Sequence, residues 1–379
     1  MLKKQIIWVG IDIGKKNSVC AIDWYNNQER SGNNNLISLP FKSITNTAEG
    51  VKLLFDWLKT NKKDIEERMH PQRSIVYQFV MEPTGCYSNR LIKHLEAKKK
   101  DVYIAMVNPA KIPIFKTFID VKNKTDKLDA QCLARFGSMR NPKARYEMPA
   151  DYAGLRRLAS MRFRLVKSAT IFKNQLESLD IPAERLLFQG PLDTVKSKIK
   201  ILDDQIKEYL KQHRSLQRDF FRLISIHGVG VVVAATLMAE YGPICRFINV
   251  RQIVSFAGLN PKNKFSGTSI RSTRLSKQGS PIIRQVLYMA SLTAQPRIPL
   301  LDELSKRLTK LTPMQKRCAV MRKLLTICWS VLKNDRDYME YQPSTKKLVP
   351  ISEPQKRKRQ PKKTNKKRGF FTKKTPALA

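Results

Sequence analysis

Carboxylates are the residues of this chain whose spacing most directly suggests chemistry. In the stretch Lys124-Thr-Asp-Lys-Leu-Asp-Ala130, Asp126 and Asp129 stand three apart at the start of an expected helix, with Leu128, Leu133 and Phe136 giving it an apolar face. Both acids therefore project from one side. Like charges this close repel, and a protein accommodates them around a cation or as a solvated pair at a helix N-terminus, where the backbone dipole favours negative charge. Taken alone, the pair fits either arrangement. Two distant acids extend it: Asp12 lies late in the apolar run Gln5 to Ile13, and Glu82 directly follows the run Ser74 to Met81. Each has a plainer reading, Asp12 as a turn former and Glu82 as an exposed strand-end acid. As a quartet, four oxygen donors without His or Cys suit a hard cation, Mg2+ or Mn2+. Two such ions can stabilise the attacking and leaving oxygens of a phosphoryl transfer.

The elements that must position these acids follow from the patterning. Gln5 to Ile13 and Asn17 to Trp24 read as a hairpin, with Leu36 to Phe41 as a third strand. Val51, Leu54, Phe55 and Leu58 mark an amphipathic helix. Then come the strand Ser74 to Met81, ending at Glu82-Pro-Thr-Gly85, a helix from Tyr87 to Lys98, a strand from Val102 to Val107, and a helix from Pro109. Strands alternating with helices after an opening meander predict an α/β domain with a mixed sheet. The quartet converges only if that sheet sets its first and fourth strands side by side, the ribonuclease H-like arrangement.

From Asp151 the pattern turns helical. Leu155, Leu158, Arg162, Leu165, Ala169, Phe172, Leu176 and Leu179 step by threes and fours, and after a break at Ile181 to Pro191 the spacing resumes from Leu192 through Ile206, His213, Leu216 and Phe220 to Leu223. This predicts an antiparallel coiled-coil hairpin, with His213 a packing residue on its seam. The Gly228-Val-Gly230 turn between two apolar helices has the form of a helix-hairpin-helix element. Its amides could approach a phosphate backbone, or it could be a plain helix-helix turn.

A basic, hydroxyl-rich loop from Pro261 to Gly279 carries Lys262, Lys264, Arg271, Arg274 and Lys277. A serine on such a loop has the surroundings a hydroxyl nucleophile attacking phosphorus would need, but no His lies nearby in sequence, and a phosphate-binding loop without catalysis fits the same residues. Helices closing the fold are expected from Pro281, Pro299 and Met314.

Charge narrows the partners. The 379 residues carry 72 Lys+Arg against 31 Asp+Glu, a formal net charge of +41. Such a field attracts polyanions, nucleic acid above all. The tail from Pro343 holds 13 basic residues and one acid, Glu353, so the body is basic in its own right. Hydrophobic residues make up 42%, enough for real cores and against a disordered chain. The six cysteines show no CxxC pair, and no apolar run is long enough to span a bilayer, so the expectation is a cytoplasmic, nucleoid-associated protein.

At Gly10-Ile-Asp12, Met81-Glu-Pro-Thr-Gly85, Lys124-Thr-Asp-Lys-Leu-Asp-Ala130, Gly258-Leu-x-Pro261, Phe265-Ser-Gly267 and Gly279-x-x-x-x-Arg284 the chain resembles the DEDD transposases of insertion sequences. These are similar to Piv-type DNA invertases and are recognised as bridge-RNA-guided recombinases. The resemblance runs from Ile7 to about Leu332. It implies a RuvC-like domain over residues 1–150, a coiled-coil hairpin over 151–222, a mainly α transposase domain over 223–340 with the helix-hairpin-helix element, and a basic disordered tail over 341–379. Asp12, Glu82, Asp126 and Asp129 would bind Mg2+ or Mn2+, and Ser266 would be the nucleophile that forms a phosphoserine, the two groups making one composite centre. Lys262, Lys264, Arg271, Arg274, Lys277, Arg284, Gly228 and Gly230 would contact nucleic acid, with Arg271, Arg274 and Arg284 stabilising charge at the phosphorus. The implied partners are donor and target DNA, a guide RNA, and further copies of the chain in a homodimer or homotetramer. Two rivals fit the residues: a RuvC-like nuclease or Holliday-junction resolvase without a serine nucleophile, and a basic binding or packaging protein that never cleaves.

Overall fold

Alternation along the first strand determines the rest of the first unit. In the computed structural model, which describes residues 4–23, 39–68, 74–98, 102–121, 123–266, 270–342 and 347–350, strand β1 (Lys4–Ile13) turns Ile7, Val9, Ile11 and Ile13 to one face and Trp8, Gly10 and Asp12 to the other. It pairs antiparallel with β2 (Asn17–Asp23), which pairs antiparallel with β3 (Phe41–Thr45). On its other side β1 runs parallel to β4 (Ser74–Met81), and β4 parallel to β5 (Tyr103–Met106), giving the order β3-β2-β1-β4-β5. The first and fourth strands are thus neighbours, as convergence of the acids requires.

Helices cover both faces. Ile7, Val9, Ile11, Phe79 and Met81 bury against Leu54 and Leu58 of α1 (Ala48–Arg68) and Leu91 and Leu95 of α2 (Cys86–Lys98). Trp8, Val80 and Ala105 bury against Ile112 and Phe115 of α3 (Lys111–Phe118) and Leu133 and Phe136 of α4 (Asp126–Arg140). Each fully buried large side chain contributes roughly 1.5–3 kcal/mol. The third strand begins at Phe41, later than the sequence suggests. Pro40 has no N–H for the ladder, Leu39 is buried beside Cys132, and residues 36–38 lie outside the described residues.

The chain divides into two compact units, Met1–Glu147 and Met148–Ala379. The second opens with α5 (Ala150–Glu177) and α6 (Pro182–Gln212), which run antiparallel: Arg162 pairs with Asp203, and Phe172 meets Phe188 at 6.5 Å. The break expected at 181–191 is shorter, because α6 starts at Pro182 and continues through Pro191. The carbonyl that a mid-helix proline leaves free belongs to Leu187, an exposed residue that water can reach. The seam also stops sooner than expected. His213 stacks on Tyr209 at 3.9 Å and ends α6, so Leu216 and Leu223 lie on a new helix, α7 (Arg214–Ile224).

Beyond it come α8 (Val231–Tyr241), a 3-10 turn at Ile244–Arg246, α9 (Val250–Phe256), the hairpin β6 (Pro261–Ser266) and β7 (Ile270–Leu275), α10 (Pro281–Ala294), α11 (Pro299–Arg307) and α12 (Pro313–Lys333). Leu155, Ala159, Ile206 and Leu210, at the base of the helical hairpin, share one core with Leu223, Leu237, Leu287 and Leu324. Where a structureless tail was expected from 341, β8 (Met339–Gln342) pairs with β9 (Lys347–Pro350); residues 351–379 lie outside the described residues. Among the described residues no helix is long and apolar enough to cross a membrane.

Candidate active site

Asp12 is positioned by the two residues that precede it on its face of β1. Gly137 of α4 lies against Trp8, where a Cβ would come within 2.7 Å of the indole ring. Gly10 faces α4 so closely that a Cβ would overlap the Ala130 carbonyl and the Ala134 amide. Three β1 residues two apart thus meet successive turns of α4. The helix can settle this near the strand only because neither glycine carries a side chain. Its first turn, with Asp126 and Asp129, then falls beside Asp12. Thr125 caps that turn by accepting from the Leu128 amide at 3.2 Å.

Glu82 arrives from the adjacent strand. The β1–β4 register ends at Ile11 opposite Met81, so Asp12 and Glu82 are the next residues on neighbouring parallel strands. The turn after Glu82 needs Gly85 at φ +61°, and Ser88 fixes it by bonding the Thr84 amide and the Gly85 carbonyl.

Electrostatics link all four acids. Burial pushes the Asp12 carboxyl up to about 6, and the charges of Asp129 and then Asp126 add to the effect. Glu82 is raised by burial, then by Asp12 and Asp129. Lys116, from α3, opposes both shifts and donates to Asp129 Oδ1. Among the described residues no three His, Cys, Asp or Glu side chains stand close enough to hold a metal ion as they are. The donor set nevertheless fits a hard divalent cation: four carboxylates, half-buried or exposed, with their mutual repulsion only partly relieved by one lysine.

The second unit presents its candidates differently. The basic loop is an antiparallel hairpin, with Lys262 opposite Arg274 as two exposed cations, Lys264 opposite Ser272, Phe265 opposite Arg271 and Ser266 opposite Ile270. Residues 267–269, between Ser266 and Ile270, lie outside the described residues. Lys277 is exposed, in a left-handed conformation at φ +54°.

Arg284 is engaged within the second unit. Its Nη1 donates to the carbonyls of Ala257 at 3.0 Å and Gly279 at 2.9 Å, locking the backbone that carries the hairpin. Gly258, at φ +67°, and Gly279 complete that junction, since a Cβ on Gly279 would overlap Gly258 and Phe256 backbone. Ser276, another hydroxyl of the loop, is engaged by Asn260 Oδ1 at 2.5 Å. Gly228 packs within the same unit. It turns toward α10, where a Cβ would come within 2.6 Å of the Ala294 amide, while Gly230 at the start of α8 faces open space.

Sequence reasoning missed Lys116, one basic residue among many with no motif around it, and Arg322, whose Nε holds the Leu259 carbonyl at 3.0 Å.

The fold and the acids together define a class: a mixed α/β sheet domain of RuvC-like form with carboxylates gathered at its strand ends. Residues 9–179 match a transposase family model of the DEDD IS110 type, and residues 221–306 match the transposase family IS116/IS110/IS902. The chain is 25% identical over 335 residues to the pilin gene-inverting protein of Moraxella bovis, covering 87% of this chain and 97% of that protein. It is 26% identical over 249 residues to the transposase for insertion sequence element IS1111A of Coxiella burnetii, covering 57% of this chain and 68% of that one. The chain belongs to the IS110-type DEDD transposases. It is a DNA transposase and recombinase, and divalent-metal use is general to DEDD transposases.

Proposed function

We propose that this transposase cuts and rejoins DNA through a covalent phosphoserine on Ser266, with Asp12, Glu82, Asp126 and Asp129 holding Mg2+ or Mn2+. The observation that carries the metal half is the convergence of four acids from β1, the end of β4 and the start of α4, Asp12 feeling the charges of Asp129 and Asp126, and Glu82 those of Asp12 and Asp129. A bound divalent ion would supply charge neutralisation at the phosphate.

In the cleavage step the Ser266 hydroxyl oxygen forms a bond to phosphorus, the bond from phosphorus to one deoxyribose oxygen breaks, the serine proton passes to a carboxylate or to solvent, and the departing oxygen takes up a proton from solvent. The departing strand ends in a free hydroxyl. Rejoining reverses these bonds with the hydroxyl of another strand, so no external energy is needed. Lys262, Lys264, Arg271, Arg274 and Lys277 hold the backbone being cut, and Gly230 gives the open amides of a helix-hairpin-helix contact. Arg284 and Gly228 serve as positioning residues in this reading.

A guide RNA selects donor and target DNA, in keeping with a basic protein that reads backbone and shape. Coiled-coil contacts at the tip of the α5–α6 hairpin join copies into a dimer or tetramer, supported by the exposed Ile171, Leu186 and Leu187. The working parts are residues 1–150, 151–222, 223–340 and the basic tail 341–379, and the protein acts on the nucleoid in the cytoplasm.

The test is a denaturing gel for a protein–DNA adduct, with Mg2+, element-junction DNA and RNA from the element's flanking region. Wild type should give an adduct that depends on the RNA and vanishes in Ser266→Ala and Asp126→Ala. A metal-only nuclease is favoured by one observation, that the acids converge in the structure, and no His lies near Ser266 in the sequence. It predicts cleavage without an adduct, intact in Ser266→Ala and lost in Asp126→Ala.

A further inference from the structure

The first unit also carries a groove that neither the quartet nor the basic hairpin uses. It has a volume of about 610 Å³ and opens between α3, the end of α4 and the exit of β5. Its walls mix two kinds of residue. Ile114 and Phe118 are 72% and 65% exposed, unusually bare for large apolar side chains. Around them stand Lys111, Arg140 and Lys143, all exposed, and none has an acidic partner among the described residues. No Asp or Glu lines the groove.

Phe118 is also held in place. It stacks on the buried Phe115 at 6.3 Å and 26°, and Phe115 packs edge-on against Phe136 at 5.2 Å. An aromatic platform fixed by the core and ringed by unpaired cations is what a strand with unstacked bases requires: a π-face for a base and charges for its phosphates. A duplex would offer that platform only sugars and phosphates, because its base faces are hidden within the stack. Lys111, Ile114 and Phe118 lie on one side of α3, whereas Lys116, on the same helix, reaches Asp129. The groove and the carboxylates are thus served by different sides of α3.

We propose that this groove binds single-stranded DNA, an unpaired segment of the strand being processed, with a base on Phe118 and phosphates on Lys111, Arg140 and Lys143. This deepens the reading of the first unit as the metal-bearing half of the recombinase, but binding can be measured without cleavage.

Other basic surfaces will also bind DNA, so the test must report position. Full-length protein is irradiated with single-stranded DNA containing 5-iodouracil, digested with trypsin, and the cross-linked peptides are identified by mass spectrometry. The expected product is a cross-link to the peptide Thr117–Lys122, in which Phe118 is the aromatic residue. Its yield should fall by about tenfold or more in Phe118→Ala, the usual scale for one stacked base. It should also fall with rising salt, and less steeply in Lys111→Ala, Arg140→Ala or Lys143→Ala, each of which removes about 0.7 from the logarithmic slope. An unchanged Mn2+ titration in Phe118→Ala would show that the first unit is still folded.

Absence of this cross-link in wild type overturns the proposal, as does a stronger one with the same sequence in RNA. It is equally overturned if Phe118→Asp splits the oligomer while the cross-linking pattern stays unchanged, since the groove would then be a protein interface. A normal phosphoserine adduct without the cross-link defeats this inference alone, whereas the cross-link without any adduct defeats only the proposed reaction.

Discussion

The carboxylate site of the first unit and the basic hairpin of the second are built on opposite plans. In the first, the chemical groups sit on strand ends and a helix start, and the residues between them, Trp8, Gly10 and Gly137, are structural parts that bring α4 onto β1. In the second, much of what looks chemical in the sequence is scaffold. Arg284 clamps two carbonyls, Ser276 bonds Asn260, and Gly228 packs on α10, leaving Lys262, Arg274 and Lys277 as exposed cations on the platform they hold up. The difference teaches that a charged or small residue in a motif is as often the support of a reactive group as the group itself, and that hydrogen-bond partners tell the two apart.

The comparison can be broken most forcefully at Gly10. Gly10→Val should destabilise the first unit by about 3 kcal/mol or more, since the new side chain meets α4 backbone that has no freedom to yield. Thermal unfolding followed by circular dichroism would show it, and a melting temperature equal to wild type would mean that α4 is not held where the structure has it. Next in size, Arg284→Ala leaves the Ala257 and Gly279 carbonyls without their donor and should cost about 1–3 kcal/mol. A residue acting only at the phosphorus would instead lower activity with no change in denaturant midpoint. Gly228→Ala should cost a similar amount, because of both its left-handed backbone and Ala294, whereas Gly230→Ala should stay within about 0.5 kcal/mol.

The smallest effect concerns pH. Asp12 titrates higher in the folded protein, at about 6, than the ordinary 3.8, so the native state binds more protons than the unfolded one across that window. Metal-free protein should therefore be most stable below pH 4 with respect to this group and lose about 1 kcal/mol, after allowance for solvent screening, as pH rises through 6. Asp12→Asn should flatten the dependence. A wild-type stability that instead rises through the same window because of Asp12 would contradict the repulsion described here.

Much of the first unit was legible because strand alternation, helix spacing and the position of each acid relative to its element agree with one another. The adjacency of β1 and β4 followed from requiring Asp12 and Glu82 to meet. Lys116 was not legible, since nothing local distinguishes it from any other surface lysine; only the packing of α3 beside α4 brings it to Asp129. The second unit was harder to read for a related reason. Apolar spacing continues from α6 into α7 although the chain bends at His213, and neither the hairpin pairing of Lys262 with Arg274 nor the Arg284 clamp leaves a periodic trace.

The central claim is that metal binding resides in the four acids of the first unit and is independent of the proposed nucleophile in the second. Calorimetric titration of Mn2+ into wild type, Asp129→Asn and Ser266→Ala at neutral pH tests it directly. The account predicts equal affinity in wild type and Ser266→Ala, and a loss of at least about tenfold in Asp129→Asn. Full binding in Asp129→Asn, or lost binding in Ser266→Ala with the fold intact, would contradict it.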